Sequence, residues 1–288
     1  MQITNSLVEK SFAYTEEKEN FGLRRDEIGN LMEIAAYCRN EAINEPIEYR
    51  EVLWDIYVQD GVTFADWLYG GGVGNEEDRR RFMEALTKKE MVPSDSGLPV
   101  RESANKRNIY IALGEFQSGV SKVKEYVHER RLILSSIRNV TEYEAFMPSC
   151  FTDSCFASGI LSGMKHIASF PDRTKEITKA LGILNDNAIE LYQQYSTCLE
   201  EVMRILSVRL QRECTPDPKH AKDLIFSFTY SEQIEGKTVA VTKDIECSPH
   251  LKLLHRGSNL RIYFYWCDAT IGAGKKVLVG RIGSHPYK

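Results

Sequence analysis

The clearest alternation in the chain is Leu260-Arg261-Ile262-Tyr263-Phe264-Tyr265-Trp266. Leu260, Ile262, Phe264 and Trp266 fall on one side; Arg261, Tyr263 and Tyr265 fall on the other. A period of two in aromatic and β-branched residues predicts a strand. Val277 to Ile282 predicts a second strand. The intervening Cys267 to Lys276, with Gly272 and Gly274, fits the loop of an antiparallel hairpin. Leu251 to Leu254 adds a short strand before the turn at residues 255–259. Leu224 to Tyr230 and Thr238 to Val241 add two more, joined around Glu235-Gly236. Four or five antiparallel strands make a small sheet able to pack independently.

Upstream the period is helical. Asp26 to Ala42, Phe116 to Ile137 and Asp172 to Glu213 repeat apolar positions three to four residues apart, the last as one long helix or two. Thr63 to Tyr69 reads as a short helix capped by Thr63, and Asn75 caps another that begins at Glu76. Glu48 to Val58 is ambiguous and favours a strand; Ile109 to Leu113 fits a short one. Residues 1–25 read as polar, with a frayed start. Pro216 and Pro218 end the helical pattern, so Cys214 to His220 is the expected boundary. The expected fold class is α+β: a mainly helical body over residues 1–215 and a basic antiparallel β domain over 216–288.

A chain of 288 residues accommodates one large or two modest domains. Its 42% hydrophobic and 27% charged residues are ordinary for a soluble protein. No apolar run is long enough to span a membrane, and the first residues lack the pattern of a secretory signal. The seven cysteines are scattered, without CxxC or a zinc-ligand spacing. Free thiols and a cytoplasmic location, with no membrane partner, are the expectation.

Charge changes the picture more. Residues 250–288 hold seven Lys or Arg against one acid, Asp268, a net +6, while the whole chain is −4 and residues 1–249 therefore −10. Such a tail attracts a polyanion. Arg261, Tyr263, Tyr265 and Arg281 on one face would combine phosphate neutralisation with base stacking, and Lys252, Arg256, Lys275 and Lys276 would extend it. His250, His255 and His285 add imidazoles that titrate near neutral pH. Two other readings stand beside this one. The basic residues could dock the tail onto the chain's own acidic body or onto a partner, or could serve solubility and guard a strand edge.

Other motifs carry less. Gly70 to Gly74 (GGGVG) lacks the Lys-Ser/Thr of a phosphate loop and reads as a linker. Asp95, Glu102 and Lys106 lack the spacing of a metal-dependent nuclease. Ser158 to Gly163 is not a nucleophile elbow. Cys150, Cys155 and His166 could form a nucleophile and base but read more simply as packed interior. No metal or cofactor is expected.

The order Leu260-Arg261-Ile262-Tyr263-Phe264, a loop, Lys275-Lys276, then Val277-Leu278-Val279 resembles the carboxy-terminal half of RelE/HigB-like toxins. Pro249-His250-Leu251-Lys252, Arg261 to Phe264 and Gly280-Arg281-Ile282-Gly283-Ser284-His285 also resemble the ending of bacterial proteins from phage-defence or toxin loci. The resemblance implies a bacterial toxin or defence protein acting on nucleic acid, RNA more than DNA, with an antitoxin or other partner protein. If it is an enzyme, the resemblance implies metal-independent RNA cleavage through the 2′-OH. Arg261, Arg281 and Lys252 would then stabilise the phosphorane, and His250 or His285 would move protons. The alternative is a non-catalytic subunit whose carboxy-terminal sheet docks a partner protein. The chain departs from those toxins in carrying over 200 residues ahead of the sheet, and in placing Lys275-Lys276 before the last strand.

Overall fold

A computed structural model describes residues 2–40, 42–70, 76–88, 106–117, 119–234, 237–254 and 258–286. The chain divides into two compact units, Met1–Arg130 and Arg131–Lys288. The segment expected to be a boundary, residues 214–220, lies inside the second unit.

The first unit contains β1 (Gln2–Leu7), α1 (Arg25–Cys38), β2 (Ile47–Tyr49), β3 (Tyr57–Gln59), β4 (Val62–Thr63), α2 (Phe64–Tyr69), α3 (Glu76–Ala85), β5 (Leu86–Lys88) and β6 (Lys106–Ile111). It also holds most of α4 (Val123–Ser136), within which the division falls. Four strands form a sheet in the order β5-β2-β1-β6, and every neighbouring pair is parallel. The expectation of a largely helical body is therefore corrected: residues 1–130 are built on a parallel sheet, and sheets are spread along the whole chain.

The reason lies in β1. Ile3, Asn5 and Leu7 alternate inward and all are buried. A buried polar residue at the middle inward position obscures the strand pattern. Asn5 is tolerated because it is satisfied: Nδ2 donates to the Glu45 carbonyl at 2.6 Å and Oδ1 accepts from the Tyr126 hydroxyl at 3.0 Å. The Thr63 cap of α2 is present as a reciprocal capping box with Asp66. Gly71 to Gly74 and Asn75, with Asp95 and Glu102, lie outside the described residues.

The second unit contains α5 (Val140–Phe146), β7 (Ser154–Phe156), α6 (Ile160–Met164), α7 (Phe170–Gln194), α8 (Leu199–Leu210), β8 (Cys214–Thr215), β9 (Ile225–Ile234), β10 (Lys237–Glu246), β11 (His250–Lys252), β12 (Arg261–Tyr265) and β13 (Val277–Gly283). Its main sheet runs β7-β13-β12-β11-β8. The β12–β13 pair is antiparallel as expected, but β7 joins β13 in parallel, so the sheet is mixed and recruits strands from before residue 216. β9 and β10 form a separate ten-rung hairpin.

Both faces of the sheet are covered. On one, Trp266 stacks on Tyr192 of α7 with ring centroids 5.8 Å apart. On the other, Phe228, Ile245 and Cys247 of the hairpin region pack with Tyr263 and Leu278. All four residues Arg261 to Phe264 are consequently buried. Among the described residues, no helix is long and apolar enough to cross a membrane, and no cluster of three His, Cys, Asp or Glu is placed to hold a metal ion. The seven cysteines are free thiols.

Candidate functional site: a His-Tyr-His-Arg corner

Strand register assembles the site. On β11 and β12, His250 pairs with Tyr263 and Lys252 with Arg261. On the outer side His250 pairs with Thr215 of β8, and on the inner side Tyr263 pairs with Arg281 of β13. Residues that pair directly share a face, so Thr215, His250 and Tyr263 stand side by side. The His250 and Tyr263 ring centroids are 5.2 Å apart, and His250 Nε2 lies 3.4 Å from Thr215 Oγ1. The chain leaving β13 brings His285 back over this row, with Nδ1 2.7 Å from the Tyr263 hydroxyl.

Burial sets the electrostatics. His250 is 4% exposed and Arg261 8% exposed. Arg261 Nε is buried without a hydrogen-bond partner among the described residues, and the Ser248 backbone lies against the buried His250 ring. Desolvation, reinforced by the Arg261 guanidinium, pushes the His250 imidazole down to about 4, so it is neutral at physiological pH. His285 is only half-buried. Burial lowers its pKa first, then the Arg261 charge, while Asp217 pulls it back up; His220 and Lys252 lower it further. Lys252 is held by Glu213 at 2.9 Å. The corner can therefore present a fixed guanidinium beside a proton-accepting imidazole, with a second imidazole locked neutral behind them.

Arg281 joins the same row through its pairing with Tyr263, whereas the remaining expected residues are not gathered here. Arg281 turns its Nε to the Ser284 carbonyl at 2.9 Å and lies against Gly163 of α6. Tyr265 pairs with Leu278 and leans on the hairpin cluster. Lys275 lines a groove of about 400 Å³ with Asp153, Asn185, Asp186 and Glu190. The Lys276 stem packs on Gly272, and its charge acts on Asp153 and Cys155. Arg256 and His255 lie outside the described residues.

The continuous basic and aromatic face expected from alternation is thus split. Tyr263 has no exposed surface and cannot offer its ring to a base. The hairpin explains this: Phe226 occupies the space above Gly280, where no side chain stands in its way.

Sequence reasoning missed Thr215, Asp217 and His220, because Cys214 to His220 reads as a proline-broken linker. α8 stops before that segment, at Leu210 with Gln211 in the left-handed region, and the segment supplies β8 and a 3-10 turn, Pro218–Asp223. No protein-family model matches this chain, and neither a curated protein sequence nor a solved structure shows significant similarity to it.

Proposed function

We propose that the second unit binds RNA at the His250–Arg261–Tyr263–His285 corner and cleaves it without a metal ion, as a bacterial toxin or defence protein working in the cytoplasm. The observation that carries this reading is the Tyr263–His285 contact at 2.7 Å with the Arg261 guanidinium beside it. His285 takes the proton of a ribose 2′-OH. The 2′-oxygen then forms its bond to phosphorus, the bond to the 5′-oxygen breaks, and that oxygen takes a proton from water. Arg261 and Lys252 oppose the charge gathering on the phosphoryl oxygens, and Arg281 adds a flanking cation. His250, neutral and buried, positions Tyr263 rather than moving a proton. A second reading is favoured by the burial of His250 and Arg261: a non-catalytic subunit that grips RNA or docks a partner protein.

The test induces the full chain in bacteria beside His285→Ala and assays both purified proteins on single-stranded RNA in a chelator. Growth arrest and cleavage that fall at least ~100-fold in the folded variant support the ribonuclease. RNA retention without cleavage moves the assignment to the binding subunit. Absence of binding, cleavage and growth effect overturns both nucleic-acid readings.

A further inference from the structure

The first unit carries a feature independent of that reading. From β1 the chain moves outward through β2 to β5, then returns to the opposite side of β1 for β6. All four strands are parallel, so their carboxyl ends lie on one edge. The direction of winding reverses between β1 and β6. In open parallel sheets the loops part at such a point and leave the crevice in which ligands bind.

One side chain occupies that point. Arg24, the N-cap residue of α1, sends Nη2 to the Ser11 carbonyl (3.1 Å) in the loop after β1 and to the Leu113 carbonyl (3.0 Å) in the loop after β6. Ser11 fastens the same two loops: its Oγ accepts from the Leu113 N–H at 2.9 Å and donates to the Val8 carbonyl at 2.6 Å. Arg24 Nε donates to the Glu27 carboxylate. Its Nη1 is buried with no partner among the described residues, on a side chain only 5% exposed. Gly114, at φ 70°, leaves the Glu27 carboxylate the room a Cβ would take.

A buried guanidinium with one nitrogen unmet is costly unless an acceptor completes it. The surroundings fit an anionic acceptor. The Arg24 side chain makes no cap hydrogen bond to α1, and the first N–H groups of a helix have no partner within the helix itself. Glu27 offsets the Arg24 charge and Asp26 adds a second carboxylate to the first turn of α1, so recognition rests on directed N–H donors and not on net attraction.

We propose that the carboxyl edge of this sheet, between β1 and β6, binds a phosphate group, free or carried by a nucleotide, with Arg24 Nη1 and the start of α1 as its donors. The site lies wholly within Met1–Arg130 and makes no use of the corner in the second unit.

The test follows amide hydrogen exchange of the full chain with ADP, inorganic phosphate or adenosine. Slowed exchange over residues 8–12, 24–28 and 112–115 with ADP, and none with adenosine, is the expected result. The same protection by inorganic phosphate identifies free phosphate as a sufficient ligand; its absence assigns the site to a nucleotide. Equal protection by adenosine, or no change in these segments with either phosphate compound, overturns the proposal. Arg24→Lys keeps the charge and loses the fork, and is expected to weaken binding at least ~10-fold. Should that variant fail to fold, the exchange map of the natural chain decides alone.

Discussion

The Tyr263 hydroxyl, in the centre of β12, lies 2.7 Å from Nδ1 of His285, beyond the end of β13. Tyr263 has no contact with solvent, so this contact meets a buried polar group and fixes the chain after β13 at once. Tyr263→Phe removes the hydroxyl and keeps the ring against His250. A loss of about 1 kcal/mol is expected by urea denaturation, with a shift of the His285 ring resonances in NMR. Unmoved resonances would show that the two side chains do not interact in solution.

His250 makes stability depend on pH. Its folded pKa is about 4, below the ordinary value of 6.5. Above pH 6.5 both folded and unfolded forms are neutral and the group contributes nothing. As pH falls from 6.5 to 4, the unfolded chain takes up the proton first, and stability declines by about 3 kcal/mol. His250→Asn should flatten the wild-type curve in that window and leave the rest of the acid limb intact. Parallel curves for the two proteins would mean that His250 titrates normally.

Local elements were legible where one face is apolar and the caps are orthodox. The helical period of α1, the Thr63 cap and the alternation of β12 all appear where expected. What alternation could not show is that both faces of β12 are covered, since Arg261 and Tyr263 read as a solvent face. β1 was hidden because Asn5 interrupts its apolar side and is satisfied only by Glu45 and Tyr126, far along the chain. The corner is half legible: their chemistry marks His250, Arg261 and His285, whereas Asp217 and Thr215 enter only through pairing of β8 with β11.

Gly280 holds the hairpin against the sheet. A Cβ there would collide with the Phe226 ring and come within 2.9 Å of Cys247 Sγ. Its φ is not in the left-handed region, so alanine is harmful through space alone. Gly280→Ala is expected to cost about 1–3 kcal/mol. Adding Phe226→Ala should return part of that loss, because the colliding ring is gone. A double variant no better than the sum of its parts would place the strain elsewhere.

Arg130 and Glu45 form an ion pair in the first unit, with Arg130 wholly buried and Glu45 22% exposed. Arg130 also donates to the Tyr126 hydroxyl at 3.0 Å, and Tyr126 in turn donates to Asn5. Removing the carboxylate takes a counter-charge from a buried cation, so Glu45→Ala is expected to cost about 3 kcal/mol. Arg130→Met removes the charge and keeps apolar bulk beside Tyr126, and should cost less. Combining the two should give a protein more stable than Glu45→Ala alone, because the penalty belongs to burying a guanidinium that has lost a carboxylate rather than to the lost attraction. Hydrogen exchange of the β1 amides reports on this unit directly. Additive losses across the four proteins would mean that the pair is solvated and that Asn5 and Tyr126 alone order the network.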